Sequence, residues 1–221
     1  MTNLTLLILI PLLTALAVLF CNNAKQIRWT SFVGSMIQLA YASVIMVSYI
    51  KERNAGNVSQ MLFESKHVWY RALNIEYYVG VDGISIAMIM LTAIVVVAGV
   101  LISWKVEKLT KEFFFLLLLL SVGAYGFFIS LDLFTLFFFL EVAVIPKFLL
   151  IGIWGSGKKE YSAMKLALML MGGSALVLVG ILATYFNTDI GGGAHTFYIL
   201  QISLQHISLE VQKIIFPLLF V

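Results

Sequence analysis

Leu131-Asp132-Leu133-Phe134-Thr135-Leu136-Phe137-Phe138-Phe139-Leu140-Glu141-Val142-Ala143-Val144-Ile145-Pro146-Lys147 is an aromatic and aliphatic run that carries one midspan acid and one base. An ionisable residue inside a stretch long enough to cross a bilayer is a functional-site hypothesis by default. Counted from the turn at Asp132, Glu141 lies about 13 Å in, near the middle of a hydrocarbon core of about 30 Å, where a short side chain cannot reach water. Lys147 lies about 10 Å from the far boundary at Trp154, and Lys165 of the next span about 6 Å from a boundary at Tyr161. Their long stems can carry an amine towards water. Snorkelling and function both stay open for Lys165, while the deeper Lys147, following Pro146, is read as functional.

Six residues along a helix turn a side chain by about 240° and advance it about 9 Å, so Glu141 and Lys147 do not pair within their own helix. The acid's partner is expected on another helix. A carboxylate left alone in hydrocarbon is held neutral, whereas one that faces a cation ionises. Those two states are what a proton relay requires; the plainer reading is a protonated Glu141 in a static hydrogen bond.

The composition agrees with a membrane protein. Of 221 residues, 62% are hydrophobic and 11% charged, against about half and a quarter in soluble domains. The single Cys21 leaves no disulfide partner and no thiolate set for an iron–sulfur cluster or structural zinc. The net charge of +3 is small and its bases form short clusters, so nucleic-acid binding has no electrostatic footprint.

Hydrophobic runs predict spans at about Leu4–Phe20, Trp29–Ile50, Ile84–Trp104 and Phe113–Ile129, a fifth that follows the turn Ser130-Leu131-Asp132 and runs to about Trp154, and a sixth at about Ser162–Phe186. The first contains Pro11 and a small-residue pattern at Ala15-Leu16-Ala17, but its leader Met1-Thr2-Asn3 lacks a positive n-region, so it reads as a retained helix. Between the second and third spans, Lys51 to Val81 reads as an extramembrane loop with a strand-like period over Asn74-Ile75-Glu76-Tyr77-Tyr78-Val79. Asp82 stands at the N-cap position of the third span, with Ser85 three residues on. Beyond the sixth span the chain is polar and Gly-rich at Gly191-Gly192-Gly193. Leu200, Leu204 and Ile207 there keep the spacing of a short interfacial helix. A seventh run begins at Ile214 and reaches Val221 after about eight residues, too few to cross; the expectation is an N-terminal fragment, or a second polypeptide that supplies the remainder. Lysines and arginines at 25, 28, 105, 108, 111, 158 and 159 place the odd-numbered loops in the cytoplasm and the N-terminus outside. The second loop, with Lys51, Arg53, Lys66 and Arg71, goes against that assignment.

Two apparent motifs carry little. Gly152-Ile153-Trp154-Gly155-Ser156-Gly157-Lys158-Lys159 approaches P-loop spacing, but Lys159 replaces the magnesium-binding Ser/Thr and a membrane helix, not a strand, precedes it. His67, His195 and His206 all fall in loops and read as surface or capping residues.

Gly80-Val81-Asp82-Gly83-Ile84-Ser85, the Leu131-to-Glu141 run, Phe148-Leu149-Leu150-Ile151-Gly152-Ile153-Trp154-Gly155 and Tyr161-Ser162-Ala163-Met164-Lys165 together resemble the proton-translocating antiporter-like subunits of respiratory complex I. The resemblance covers essentially the whole chain. It implies an all-α integral membrane fold: six complete transmembrane helices plus the start of a seventh, the N-terminal part of an antiporter-like inverted repeat. Residues 1–111 would hold helices 1–3 with the outer loop at about 51–81, and 112–221 the first part of the translocation repeat. Glu141 matches the family's fifth-helix glutamate, whose partner is a lysine of a broken seventh helix, expected shortly after Val221. Lys165 matches a lysine of helix six; Lys147 stands where the family carries an apolar residue such as Met. The resemblance further implies no cofactor in this chain, with FMN, iron–sulfur clusters and quinone in other subunits. Its partners would be other membrane subunits of complex I and the lipid of a bacterial inner membrane. A multi-subunit cation/proton antiporter, a membrane-bound hydrogenase and a non-transporting scaffold are the alternatives.

Overall fold

The computed structural model describes residues 3–70, 73–188 and 195–220; Arg71, the Gly191-Gly192-Gly193 run and Val221 lie outside them. The helices are α1 (Leu6–Phe20), α2 (Ala24–Asn54), α3 (Gly83–Ile102), α4 (Thr110–Ile129), α5 (Leu133–Trp154), α6 (Lys159–Phe186), α7 (Ile199–Ser203) and α8 (Leu209–Phe220). Strands β1 (Leu62–Tyr70) and β2 (Ile75–Val81) pair antiparallel between α2 and α3.

Five of these helices, α2 to α6, are long and apolar enough to cross a membrane. The chain is a mostly helical, multi-pass membrane protein. The expected first span, α1, has 15 residues, about 23 Å at helical rise, with one further turn begun by the bonds from Leu6 N to Asn3 O and from Leu7 N to Leu4 O. The hairpin departs from an all-α fold. Only its second strand showed in the sequence, because β1 presents most of its side chains to solvent and carries no apolar alternation. α2 outruns its apolar stretch at both ends, since a helix does not stop where hydrocarbon stops. At its C-terminus Arg53 bonds the carbonyls of Asn57 and Ser59 at 3.0 and 2.7 Å, where a cation also complements the helix dipole. The interfacial helix is shorter than its spacing suggested, ending at Ser203.

Small residues set the helix packing, as expected where lipid gives apolar side chains no reason to prefer one another. A Cβ on Gly34 of α2 would fall 2.1 Å from Thr14 Cγ2 of α1, and one on Gly126 of α4 would fall 2.2 Å from the Phe139 ring of α5. Gly123 meets Ala143 and the Phe139 carbonyl in the same way. α5 therefore turns Thr135, Phe139, Ala143 and Pro146, all buried, against α4. On its other side α5 packs on α6, and α6 receives α8 at Gly180, where Leu218 and Leu219 close over the backbone.

Between α1, α2 and α4 the interior is partly polar. Ser31, Ser35 and Gln38 of α2 and Ser121 of α4 are buried, and Gln38 Nε2 donates to the Leu7 carbonyl of α1 at 3.0 Å.

Replacing Gly126 by Ala should lower the stability of the folded protein by about 1–3 kcal/mol, the cost of overpacking a filled contact. At Gly99 of α3 the nearest atom to an added Cβ is Leu117 at 3.8 Å, so Gly99→Ala should be neutral or gain up to about 1 kcal/mol. Thermal unfolding of both variants in one detergent checks the contrast.

Candidate functional site

The segment that carries Glu141 is anchored first at its outer end. Asp132, 1% exposed, accepts from Thr135 N at 3.0 Å and so caps α5, filling one of the backbone donors a helix leaves open. Thr135 Oγ1 donates to the Glu76 carbonyl of β2. Leu131 N donates to Tyr78 O, Leu133 N to Phe197 O, and Ile199 N to Leu131 O. The turn before α5 is thus held by backbone bonds between β2 and the segment leading into α7. Asp82 caps α3 in the expected manner, accepting from Ser85 N at 2.7 Å. Burial pushes the Asp132 carboxyl above the ordinary carboxylate range, against the opposing pull of the Thr135, Glu76 and Phe134 backbone.

The opposite end is anchored as well. Lys159 Nζ bonds the Ile153 carbonyl at 2.8 Å and Trp154 Nε1 donates to Lys108 O at 2.7 Å. The lysine of the P-loop-like segment is thereby engaged in closing a helix C-terminus. His195 Nδ1 meets the Thr188 carbonyl just beyond α6, beside the Tyr185 ring, while His67 and His206 are exposed.

Between these anchors Glu141 faces α6, not α4. It lies about 180° around the helix from the Phe139–Ala143 contact with α4 and on the same stripe as Phe134 and Phe137, which pack with Val177, Ile181 and Tyr185. Its Oε1 is buried without a hydrogen-bond partner among the described residues. Pro146 has no N–H to give the Val142 carbonyl four residues earlier, so that acceptor loses its helical donor.

The α5–α6 pair is antiparallel, and a Cβ on Gly152 would lie 3.5 Å from Ala163 Cβ. Eleven residues back along α5 is Glu141 and eleven forward along α6 is Ser174, which shares Ala163's face to within about 20°. Ser174, half-buried, donates to its own Met171 carbonyl at 3.2 Å. This serine and the Gly172-Gly173 before it were passed over in the sequence, although a Gly-Gly-Ser break in an apolar span was there to be seen.

The lysines do not join Glu141. Lys147 is half-buried on a side of α5 between its two contact faces, and Lys165 is exposed on the face of α6 turned away from α5. By helical rise Lys147 is about 9 Å and Lys165 about 14 Å from the level of Glu141. Among the described residues the ion pair present is Lys66 with Glu76, at 2.7 Å across the hairpin. The three groups form a descending series and not a contact cluster. No set of three metal-ligating side chains was found among the described residues.

Asn at position 132 keeps the cap and removes the titration. Because the folded state holds the Asp132 proton more tightly than the unfolded chain does, stability should fall as pH rises from the ordinary aspartate value towards the raised one. Asp132→Asn should flatten that slope, and Asp132→Ala should cost about 0.5–2 kcal/mol at any pH; unfolding midpoints from pH 4 upward check both.

Residues 130–221 match the sequence model of the family described as "NADH:quinone oxidoreductase/Mrp antiporter, TM". The chain is 30% identical over 215 residues to NAD(P)H-quinone oxidoreductase chain 4 2 of Trichodesmium erythraeum, covering 96% of this chain and 37% of the relative. It thus spans less than two fifths of that protein's length. Its fold superposes on a chain of respiratory complex I from Thermus thermophilus with bound NADH at TM-score 0.82, with 19% identity, 98% of this chain and 43% of that one. A chain of the membrane-bound sulfane sulfur reductase, an archaeal respiratory membrane complex, matches at TM-score 0.78 with 20% identity, covering 99% and 43%. The protein is a mostly helical membrane chain whose fold matches part of the antiporter-like subunits of complex I.

Proposed function

We propose that this chain corresponds to part of subunit M of a bacterial NADH:quinone oxidoreductase and moves protons across the inner membrane, using Glu141 as its central acid. One observation carries the reading: a carboxyl oxygen buried midway along α5, in an anchored helix, with no protein partner among the described residues. An isolated carboxyl in hydrocarbon takes up a proton, and a cation approaching from a neighbouring helix would drive it off again. Lys147 and Lys165 lie progressively nearer the other face, Lys165 turned outward to meet water or a neighbouring chain. Quinone reduction, FMN and iron–sulfur clusters belong to other subunits, which the present chain would contact through lipid-depth apolar faces. The N-terminus and hairpin lie outside under the positive-inside rule.

The family description also names Mrp antiporters, and that supports a second reading, a subunit of a multi-subunit cation/proton antiporter. Copurification of flavin and iron–sulfur subunits supports the oxidoreductase; a cation-dependent pH gradient without them supports the antiporter.

Glu141→Gln keeps the shape and removes the titration, so it should abolish proton pumping by the assembled complex in vesicles, measured as quenching of a pH-sensitive dye. Unchanged pumping would refute the assignment. Lys147→Met should retain most of the activity, because the half-buried amine faces neither contact of α5, while Lys165→Ala should lower the pumping rate without blocking assembly.

A further inference from the structure

His67 of β1 and Tyr77 of β2 stand directly opposite each other in the hairpin, so their side chains share one face of it. Two cavities meet at this pair, because both residues line each of them. The first, of about 330 Å³, is a cleft lined by Val68 and Trp69 of β1 and by Phe138 and Phe139 of α5. Trp69 and Phe138 meet edge to face with their centroids 5.9 Å apart. The second, of about 780 Å³, lies between the hairpin and the start of α1 and is lined by Asn3, Thr5, Glu64 and Ser65. One continuous depression is therefore aromatic at one end and polar at the other.

Its depth is that of a bilayer surface. Phe138 is five residues into α5, about 8 Å along the axis from the helix start, the level at which amphipathic rings settle between headgroups and chains. Trp69 is 58% exposed and Phe138 43%, and large rings left open together mark a surface that something covers. The polar end decides what. Among the described residues its lining has no lysine or arginine, and the neighbouring Lys66 is held by Glu76 at 2.7 Å. Glu64 accepts from the Tyr78 hydroxyl, and a carboxylate has further lone pairs for a second donor. Thr5 Oγ1 accepts from the Tyr77 hydroxyl at 3.4 Å, which leaves its own proton to give. The Ser65 hydroxyl and the His67 ring, 3.5 Å apart, add donors beside it.

An acid next to a group of neutral donors matches a headgroup that carries an amine beside a phosphate, whereas an anionic headgroup would set a second negative charge against Glu64. We propose that the two cavities form one binding site for phosphatidylethanolamine of the surrounding bilayer. The ammonium lies on Glu64, the phosphate takes bonds from Thr5, Ser65 and His67, and one acyl chain enters the cleft between Trp69 and Phe138. The site is independent of proton transfer at Glu141, which faces α6.

Brominated lipids quench tryptophan on contact and test both ends of the site. The protein in its native membrane assembly is placed in phosphatidylcholine nanodiscs that contain either phosphatidylethanolamine or phosphatidylglycerol with one brominated chain, at equal molar fraction. The Trp69 signal is the difference between wild type and Trp69→Phe. It should be quenched more by the ethanolamine lipid than by the glycerol lipid, and Glu64→Gln should abolish that preference. Glu64 and Trp69 are both exposed, so neither change empties a core. Equal quenching by the two lipids, or a preference that survives Glu64→Gln, would overturn the proposal. Trp69 quenched by neither lipid would overturn it too, and would show that a neighbouring protein chain covers the cleft.

Discussion

The turn at Ser130–Leu133 determines the depth of everything on α5. Its backbone is bonded to β2 on one side and to the segment around Phe197 and Ile199 on the other, and the Asp132 carboxyl closes the first turn of the helix. In a bilayer each of those donors and acceptors would be costly to leave open. The hairpin and the approach to α7 are therefore the frame that fixes where α5 begins. Once it begins there, helical rise alone carries Glu141 to midspan.

Much of this was legible in the sequence because the bilayer imposes a coarse rule: long apolar runs become helices, and loops between them are polar. The cap at Asp82, the turn at Asp132 and the strand character around Ile75 follow from residue chemistry over three or four positions. β1 did not show, since a strand facing solvent on most positions has no hydrophobic period to detect. Its pairing is written only in the partner strand. The extension of α2 beyond its apolar stretch was likewise invisible to a hydrophobicity reading.

The candidate site was legible in part. Depth singled out Glu141 as a candidate, because depth needs only a count of residues from a turn. Which way a side chain faces depends on where neighbouring helices lie, and here that is decided by Gly123 and Gly126, which draw α4 onto one side of α5 and leave Glu141 to α6. The same arrangement brings Ser174 to its level and turns Lys165 away. A glycine pair in one helix thus sets the surroundings of an acid in the next, and no pattern local to Glu141 records it.

Lys159 on the Ile153 carbonyl and Trp154 on the Lys108 carbonyl matter beyond closing a helix. With the outer end already strapped, they make α5 a strut pinned at both ends, unable to slide by a turn without breaking bonds at two surfaces. Under the function proposed for Glu141, any change in which side of the membrane exchanges protons with it would then fall to side-chain torsion, to hydration, or to movement of the helices around it. The acid stays at a fixed depth, and access is brought to it.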